Sequence, residues 1–305
     1  MRIAIVGSGA LGLFYGARLL HSEQNVHFLL RRDYEAIRSG GLQVYSVDGD
    51  FHLDRVNSYR NSADIGPVDL VLVGLKTFCN DRAIDLIEPL VSERTTILTL
   101  QNGLGNEELL AKRFGEKQIM GGVAFLCANR GEPGTVHHLG QGAIRIGNFS
   151  GGHNEKGETI ATAFRQAGIS CEYVDDLKRA RWEKLVWNIP FNGLTALTGK
   201  CVTDLLAHPP TRQLAIKIMQ EVVAAANAQS LSAPIEGEPF IDRMIAATET
   251  MDGYRPSMMI DRLEGRPLEL EAIYALPLKA AGAKGIAMPR TEMLHSLLDL
   301  GEPPA

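Results

Sequence analysis

The chain has 305 residues and a formal net charge of −5, enough length for two domains and a sizeable core, and an acidic balance that excludes the basic footprint of a nucleic-acid-binding protein. No apolar run approaches the roughly 20 residues that a membrane-spanning helix needs, and no basic leader precedes an apolar segment, so a cytoplasmic protein without a membrane partner is expected. Cys79, Cys127, Cys171 and Cys201 lack C-x-x-C spacing and read as reduced thiols, and the histidines show no metal-ligand spacing, so no metal is assigned.

The first element is a strand, Arg2-Ile3-Ala4-Ile5-Val6, running straight into Gly7-Ser8-Gly9-Ala10-Leu11-Gly12 and a helix over Leu11–Leu20. Strand, glycine-rich turn and helix are the context in which a GxGxxG motif holds a dinucleotide pyrophosphate on helix N-terminal amides. In that reading Gly7 makes the tight turn, Gly9 admits the phosphates, and Gly12 lets helix and strand pack closely. A glycine turn with no ligand is the bland alternative.

Asn25–Leu30 is the second strand. An NAD enzyme usually places an acidic residue at its end to bond the ribose 2′-hydroxyl, but here Arg31-Arg32 precede Asp33. A guanidinium can pair with a 2′-phosphate and stack on adenine, which favours NADP, with Arg31 the stronger candidate. Asp33 keeps NAD as the alternative.

Leu42–Val56, with turn residues Asp48-Gly49-Asp50, reads as a hairpin-like insertion. Val68–Gly74 and Thr96–Leu100 are buried parallel strands flanking a helix over Asn80–Leu90. They lead into Lys76 and into Gln101-Asn102-Gly103, at the carboxyl ends of strands, where a doubly wound sheet places its ligand. Glycine-punctuated Gly121–Phe149 suggests antiparallel strands, Asn154–Ala167 a helix, and Ile169–Val174 a last strand. Beyond Asp175 the pattern is helical, with long periodic stretches at Thr211–Ala228 and Arg266–Ala281. The expected architecture is α/β, a Rossmann-type dinucleotide-binding domain over 1–176 followed by an all-α domain over 177–305. The apolar stripe of Thr211–Ala228 fits a core face and a homodimer face equally well.

The densest chemical candidate is Arg181–Asn192, where Lys184, Asn188 and Asn192 recur at four-residue spacing on one helical face. Pro190 releases the carbonyl of Val186, which predicts a kink. Polar groups on an apolar helix need partners, supplied either by an internal network or by a small polar substrate.

Taken together, the N-terminal GxGxxG, Lys76, Gln101-Asn102-Gly103, Trp182-Glu183-Lys184 with Asn188 and Asn192, Ser257, and Gly265-Arg266-Pro267-Leu268-Glu269 resemble the ketopantoate reductase family over essentially the whole chain. The resemblance implies NADPH-dependent reduction of a 2-oxo acid, 2-dehydropantoate, on the route to pantothenate, at the cleft between two domains. It implies that Lys184 is the general acid, that Asn102 lies beside the nicotinamide and the reacting carbonyl, and that Glu269 orients substrate and assists the lysine. Asn188, Asn192 and Ser257 would bind substrate; Lys76 and Arg31 would hold the cofactor. An ammonium suits the first role because hydride arriving at a ketone carbon creates an alkoxide that needs a proton.

Ser257 also fits a helix N-cap, and Glu269, two residues after Pro267, also fits a first helical turn. Glu269 and Glu271 are separated by roughly 200° on a helix, so both cannot face one pocket. The chain departs from the family pattern at Tyr254, where many pantoate-forming members carry asparagine, and around Tyr274, where Asn-Gly is common. Those departures leave open a paralogue reducing another small 2-oxo acid; a non-catalytic NADP-sensing module is the third reading.

Overall fold

The computed structural model describes residues 1–302. Two compact units emerge, Met1–Gln101 with Asn106–Leu177, and Asn102–Gly105 with the chain from Lys178 on.

The first unit is built on a ten-stranded sheet. Its elements are β1 (Arg2–Val6), α1 (Ala10–His21), β2 (Asn25–Leu29), α2 (Tyr34–Gly40), β3 (Leu42–Ser46), β4 (Phe51–Leu53), β5 (Asn57–Tyr59), β6 (Leu70–Val73), α3 (Asn80–Ile87), β7 (Thr96–Thr99), α4 (Asn106–Phe114), β8 (Ile119–Arg130), β9 (Thr135–Asn148), α5 (Glu155–Gln166) and β10 (Cys171–Tyr173). The spatial order is β4-β3-β9-β8-β7-β6-β1-β2-β5, with β10 also paired to β9. From β5 to β8 neighbouring strands are parallel, and the long β8–β9 pair is antiparallel.

Strand alternation divides the apolar side chains between two layers. Ile3 and Ile5 of β1 join Leu70, Leu72 and Leu98 in one core, while Ala4 and Val6 join Val71, Val73 and Ile97 in the other. A central parallel strand must be apolar on both faces. That is why the continuous runs Ile3–Val6 and Leu70–Val73 were legible as strands without any period-2 pattern.

The segment read as a hairpin insertion does pair with itself, Leu42 opposite Leu53 and Val44 opposite Phe51. It also extends the main sheet, because β3 runs parallel to β9. The polar strand β5 carries no apolar run and is recognisable only by its pairing with β2. All four cysteines are free, and burial pushes the Cys171 thiol up to about 12, which keeps it protonated and unreactive.

The second unit is helical: α6 (Leu177–Thr198), α7 (Val202–Ala207), α8 (Pro209–Asn227), α9 (Gly237–Glu249), α10 (Ser257–Leu263), α11 (Leu276–Gly282) and α12 (Pro289–Leu300). The stripe of α8, including Ala215, Ile218, Met219 and Val222, lies in the core of this unit. No helix among the described residues is long and apolar enough to cross a membrane.

The helix expected from Arg266 begins later. Gly265, at φ +66°, closes α10, and Arg266 N returns to the carbonyl of Asp261 at 2.8 Å, leaving 266–269 outside any helix. Helical structure resumes at Leu270 and passes through a π-helical turn, Glu271–Ala275, before α11. Leu276 N closes the wider register on the Glu271 carbonyl; the next donor in that register, to Ala272, would be Pro277, which has no amide hydrogen. The carbonyl of Ala272 instead accepts the amide of Leu104 at 2.9 Å.

Pro190 leaves α6 continuous from Leu177 to Thr198. The carbonyl just before it, that of Ile189, accepts the phenol of Tyr274 at 2.8 Å. Gly193 makes the room, since a Cβ there would lie 2.4 Å from the Tyr274 hydroxyl. Tyr274 is fully buried, and burial pushes its phenol upward, keeping it a donor. Tyr274, one of the two departures from the family pattern, therefore braces α6 from within the core. Tyr274→Phe removes one neutral buried hydrogen bond, so a loss of about 1 kcal/mol is expected in urea unfolding, with Michaelis constants unmoved.

Candidate active site

In the first unit, the turn from β1 into α1 is sterically specified at two glycines. A Cβ on Gly7, which has φ +101°, would meet Leu75 N at 2.4 Å, and one on Gly12 would meet the Gly7 carbonyl at 2.2 Å. Gly12 thus permits close approach of the helix to its own turn, and Gly7 packs that turn against the segment carrying Lys76. Gly9 is different, because a Cβ there would meet nothing within 4 Å. The turn is open on the side where phosphates would approach. Ser8 ties it to the end of β2, its hydroxyl donating to the Leu29 carbonyl at 2.9 Å. No side chain caps α1 and no acidic residue occupies its first turn. The amides of Ala10, Leu11 and Gly12 therefore lack intrahelical acceptors and present the positive end of the helix dipole. These features fit a dinucleotide pyrophosphate.

Beyond β2, Arg31 is exposed, and Arg32 donates to the Gly131 carbonyl at 3.2 Å. Asp33 is only 2% exposed. One carboxylate oxygen accepts the Gly134 amide at 3.2 Å and the other pairs with Arg130. A carboxylate committed in this way is not free to receive a ribose diol. Lys76 is half-buried, follows β6 after Gly74 and Leu75, and opens the short helical turn Thr77–Cys79. Gln101 turns out to be structural: its side chain accepts from Thr99 at 2.9 Å and donates to Asn80 at 2.7 Å, and Asn80 donates to Asn106 at 3.0 Å.

In the second unit, α6 presents Lys184, Asn188 and Asn192 on successive turns. Lys184 Nζ donates to Asn102 Oδ1 at 2.7 Å. The loop carrying Asn102 is held by the π-helical turn: besides the Leu104–Ala272 bond, Gly103 has φ +80° and lies so close that a Cβ would be 2.3 Å from the Ala272 carbonyl oxygen. Glu269, 4% exposed, stands just ahead of Leu270, and its carbonyl accepts the Ile273 amide at 3.2 Å. It sits before the helix rather than inside a first turn. Glu271, two residues on, is exposed. The approach to Glu269 is clamped by Arg266 on the buried carboxylate of Asp261 at 2.8 Å and by Leu268 N on Glu302 at 2.8 Å. Neither clamp was visible in the motif.

The two asparagines separate in character. Asn192 is 2% exposed and accepts the Met258 amide at 3.4 Å, acting as a side-chain cap for α10 supplied from another helix. The N-cap itself is Pro256, which offers no side-chain acceptor, and Ser257 is the first helical residue and exposed; the N-cap alternative for Ser257 is corrected accordingly. Asn188 is 4% exposed, and its Nδ2 has no hydrogen-bond partner. A buried amide donor left unsatisfied is costly unless a ligand meets it. Beside it, Trp187 donates to Thr248 at 2.9 Å and packs near the ring of Tyr254, centroids 6.2 Å apart.

The ketopantoate reductase PanE/ApbA model matches residues 3–151, and its C-terminal counterpart matches residues 176–302. This chain belongs to the ketopantoate reductase family. It is 42% identical to the 2-dehydropantoate 2-reductase of a Nostoc species over 97% of this chain and 94% of that one. The crystal structure of 2-dehydropantoate 2-reductase from Geobacter metallireducens aligns with a TM-score of 0.97 at 59% identity, covering 98% of this chain and 99% of that one. That from Methylococcus capsulatus gives 0.89 at 31% identity over 98% and 96%.

Within this ketopantoate reductase family member, Gly103→Ala is expected to push the Asn102 loop off Ala272. Equilibrium unfolding would show a loss of about 1–3 kcal/mol.

Proposed function

We propose that this chain reduces 2-dehydropantoate to pantoate with NADPH. The observation that carries the reading is the Lys184–Asn102 hydrogen bond, which joins residues 82 positions apart in sequence and fixes an ammonium beside a helix face holding an unsatisfied buried amide. The relatives named for this reaction at 59% and 42% identity support the choice of substrate.

The glycine turn and the uncapped amides of α1 would hold the pyrophosphate, with Lys76 near the same turn and Arg31 on the 2′-phosphate. The engagement of Asp33 by Arg130 and Gly134 supports NADPH over NADH. When bound, the cofactor supplies hydride to the keto carbon. As negative charge grows on the former carbonyl oxygen, Lys184 donates a proton to it, and the carbonyl of the Asn102 side chain holds Nζ in place for that transfer. The Asn188 amide, already desolvated, would donate to a substrate oxygen, so the substrate regains a hydrogen bond that the free protein lacks. Glu269 and Ser257 complete the set, the first orienting substrate and the second placed near its carboxylate. A second reading, a different small 2-oxo acid, draws on Tyr254, which lies beside Trp187 where many family members carry asparagine.

Oxidation of NADPH dependent on 2-dehydropantoate is the direct test, and a panel of 2-oxo acids separates the two readings. Absence of 2-dehydropantoate turnover, or a stronger preference for another member of the panel, overturns the first. Lys184→Ala should lower kcat by roughly 10²–10⁴ while NADPH binding, followed by cofactor fluorescence, persists. Asn188→Leu should raise the KM for the keto acid about ten-fold or more without loss of stability, because the donor it removes is unpaired in the free protein.

A further inference from the structure

The hairpin between β8 and β9 reaches the segment that follows β2. Three bonds join them: Arg130 to Asp33, Gly134 N to Asp33 Oδ1 at 3.2 Å, and Arg32 to the Gly131 carbonyl at 3.2 Å. The turn also rests on α2, where a Cβ on Gly134 would lie 3.3 Å from Ala36 Cβ. Arg130 Nε is buried without a hydrogen-bond partner, so Asp33 is what holds this guanidinium in place.

We propose that Arg130 is a positioning residue that sets the preference for NADPH over NADH by acting through Asp33. The inference rests on the NADPH reading above. A carboxylate just past the second strand would bond a ribose diol and repel a 2′-phosphate. Arg130 cancels that charge and, with the Gly134 amide, occupies both carboxylate oxygens. Arg31, exposed and in no ion pair among the described residues, is thereby left for the phosphate. Without Arg130, the carboxylate of Asp33 has Arg31 and Arg32 as its neighbours in the chain. Any guanidinium it attracts is withdrawn from the phosphate. Arg130 need not touch the cofactor to exert this effect.

The test is the ratio of kcat/KM for NADPH to that for NADH, measured with the same 2-oxo acid on unsubstituted, Arg130→Met, Arg130→Lys, Asp33→Asn and doubly substituted protein. Arg130→Met should lower the ratio about ten-fold or more, the loss falling on the KM for NADPH rather than on kcat. Arg130→Lys should keep most of the ratio. Adding Asp33→Asn to Arg130→Met should restore it, because the carboxylate no longer competes for Arg31. A folded Arg130→Met protein with an unchanged ratio, or a double variant that fails to recover, overturns the proposal. Asp33→Asn alone provides a second measurement should Arg130→Met not fold: the ratio should hold or rise, and a fall overturns the proposal. An unsubstituted enzyme that prefers NADH overturns the NADPH reading itself, an outcome distinct from failure of the Arg130 variants.

Discussion

The hydrogen bond from Lys184 to Asn102 is the constraint around which the second unit is arranged. It can form only if a four-residue loop from the middle of the sheet sequence joins the helical unit, and several otherwise odd features serve that end. Gly103 admits the close approach to Ala272, Pro277 leaves the Ala272 carbonyl without its in-helix donor, and Leu104 provides the replacement. Arg266 on Asp261 and Leu268 on Glu302 then fix the segment leading to Glu269. Lysine is flexible and loses much rotamer freedom when immobilised; an acceptor at 2.7 Å limits that freedom before substrate arrives.

The cofactor half rests on a different principle. Its glycine turn is specified by sterics that can be read residue by residue, tight at Gly7 and Gly12 and open at Gly9. The end of β2 is instead organised by charge, with Asp33 held by Arg130 while Arg31 stays exposed. Changing a distant hairpin can therefore alter the electrostatics of the β2 end without altering the backbone that would cradle the phosphates.

Local demands were the legible ones. Apolar runs announced the central strands, the GxGxxG turn announced its own geometry, and four-residue spacing placed Lys184, Asn188 and Asn192 on one helix. Features created by residues far apart in the chain were not legible. Nothing near Asp33 signals Arg130, nothing in Glu269-Leu270-Glu271 signals a π turn, and Tyr274 looked available until Gly193 and the Ile189 carbonyl were seen to receive it. Asn192 shows the same limit, since its spacing left an internal network and a ligand equally open, and only the structure brings the Met258 amide to its Oδ1.

The π-helical turn also bears on how the molecule matures. Asn102 and Leu104 leave the ribosome long before Ala272 and Pro277 exist, so the loop that holds the lysine has no docking surface during most of synthesis. The sheet strands on either side of it can pair meanwhile, because the partners of β7 and β8, namely β6 and β9, all precede residue 149 in the chain. Completion of the loop must then await nearly the last helices of the chain, a contact of very long sequence separation. A nascent or truncated chain would carry a formed sheet while the loop that receives Lys184 still lacks the segment it docks on.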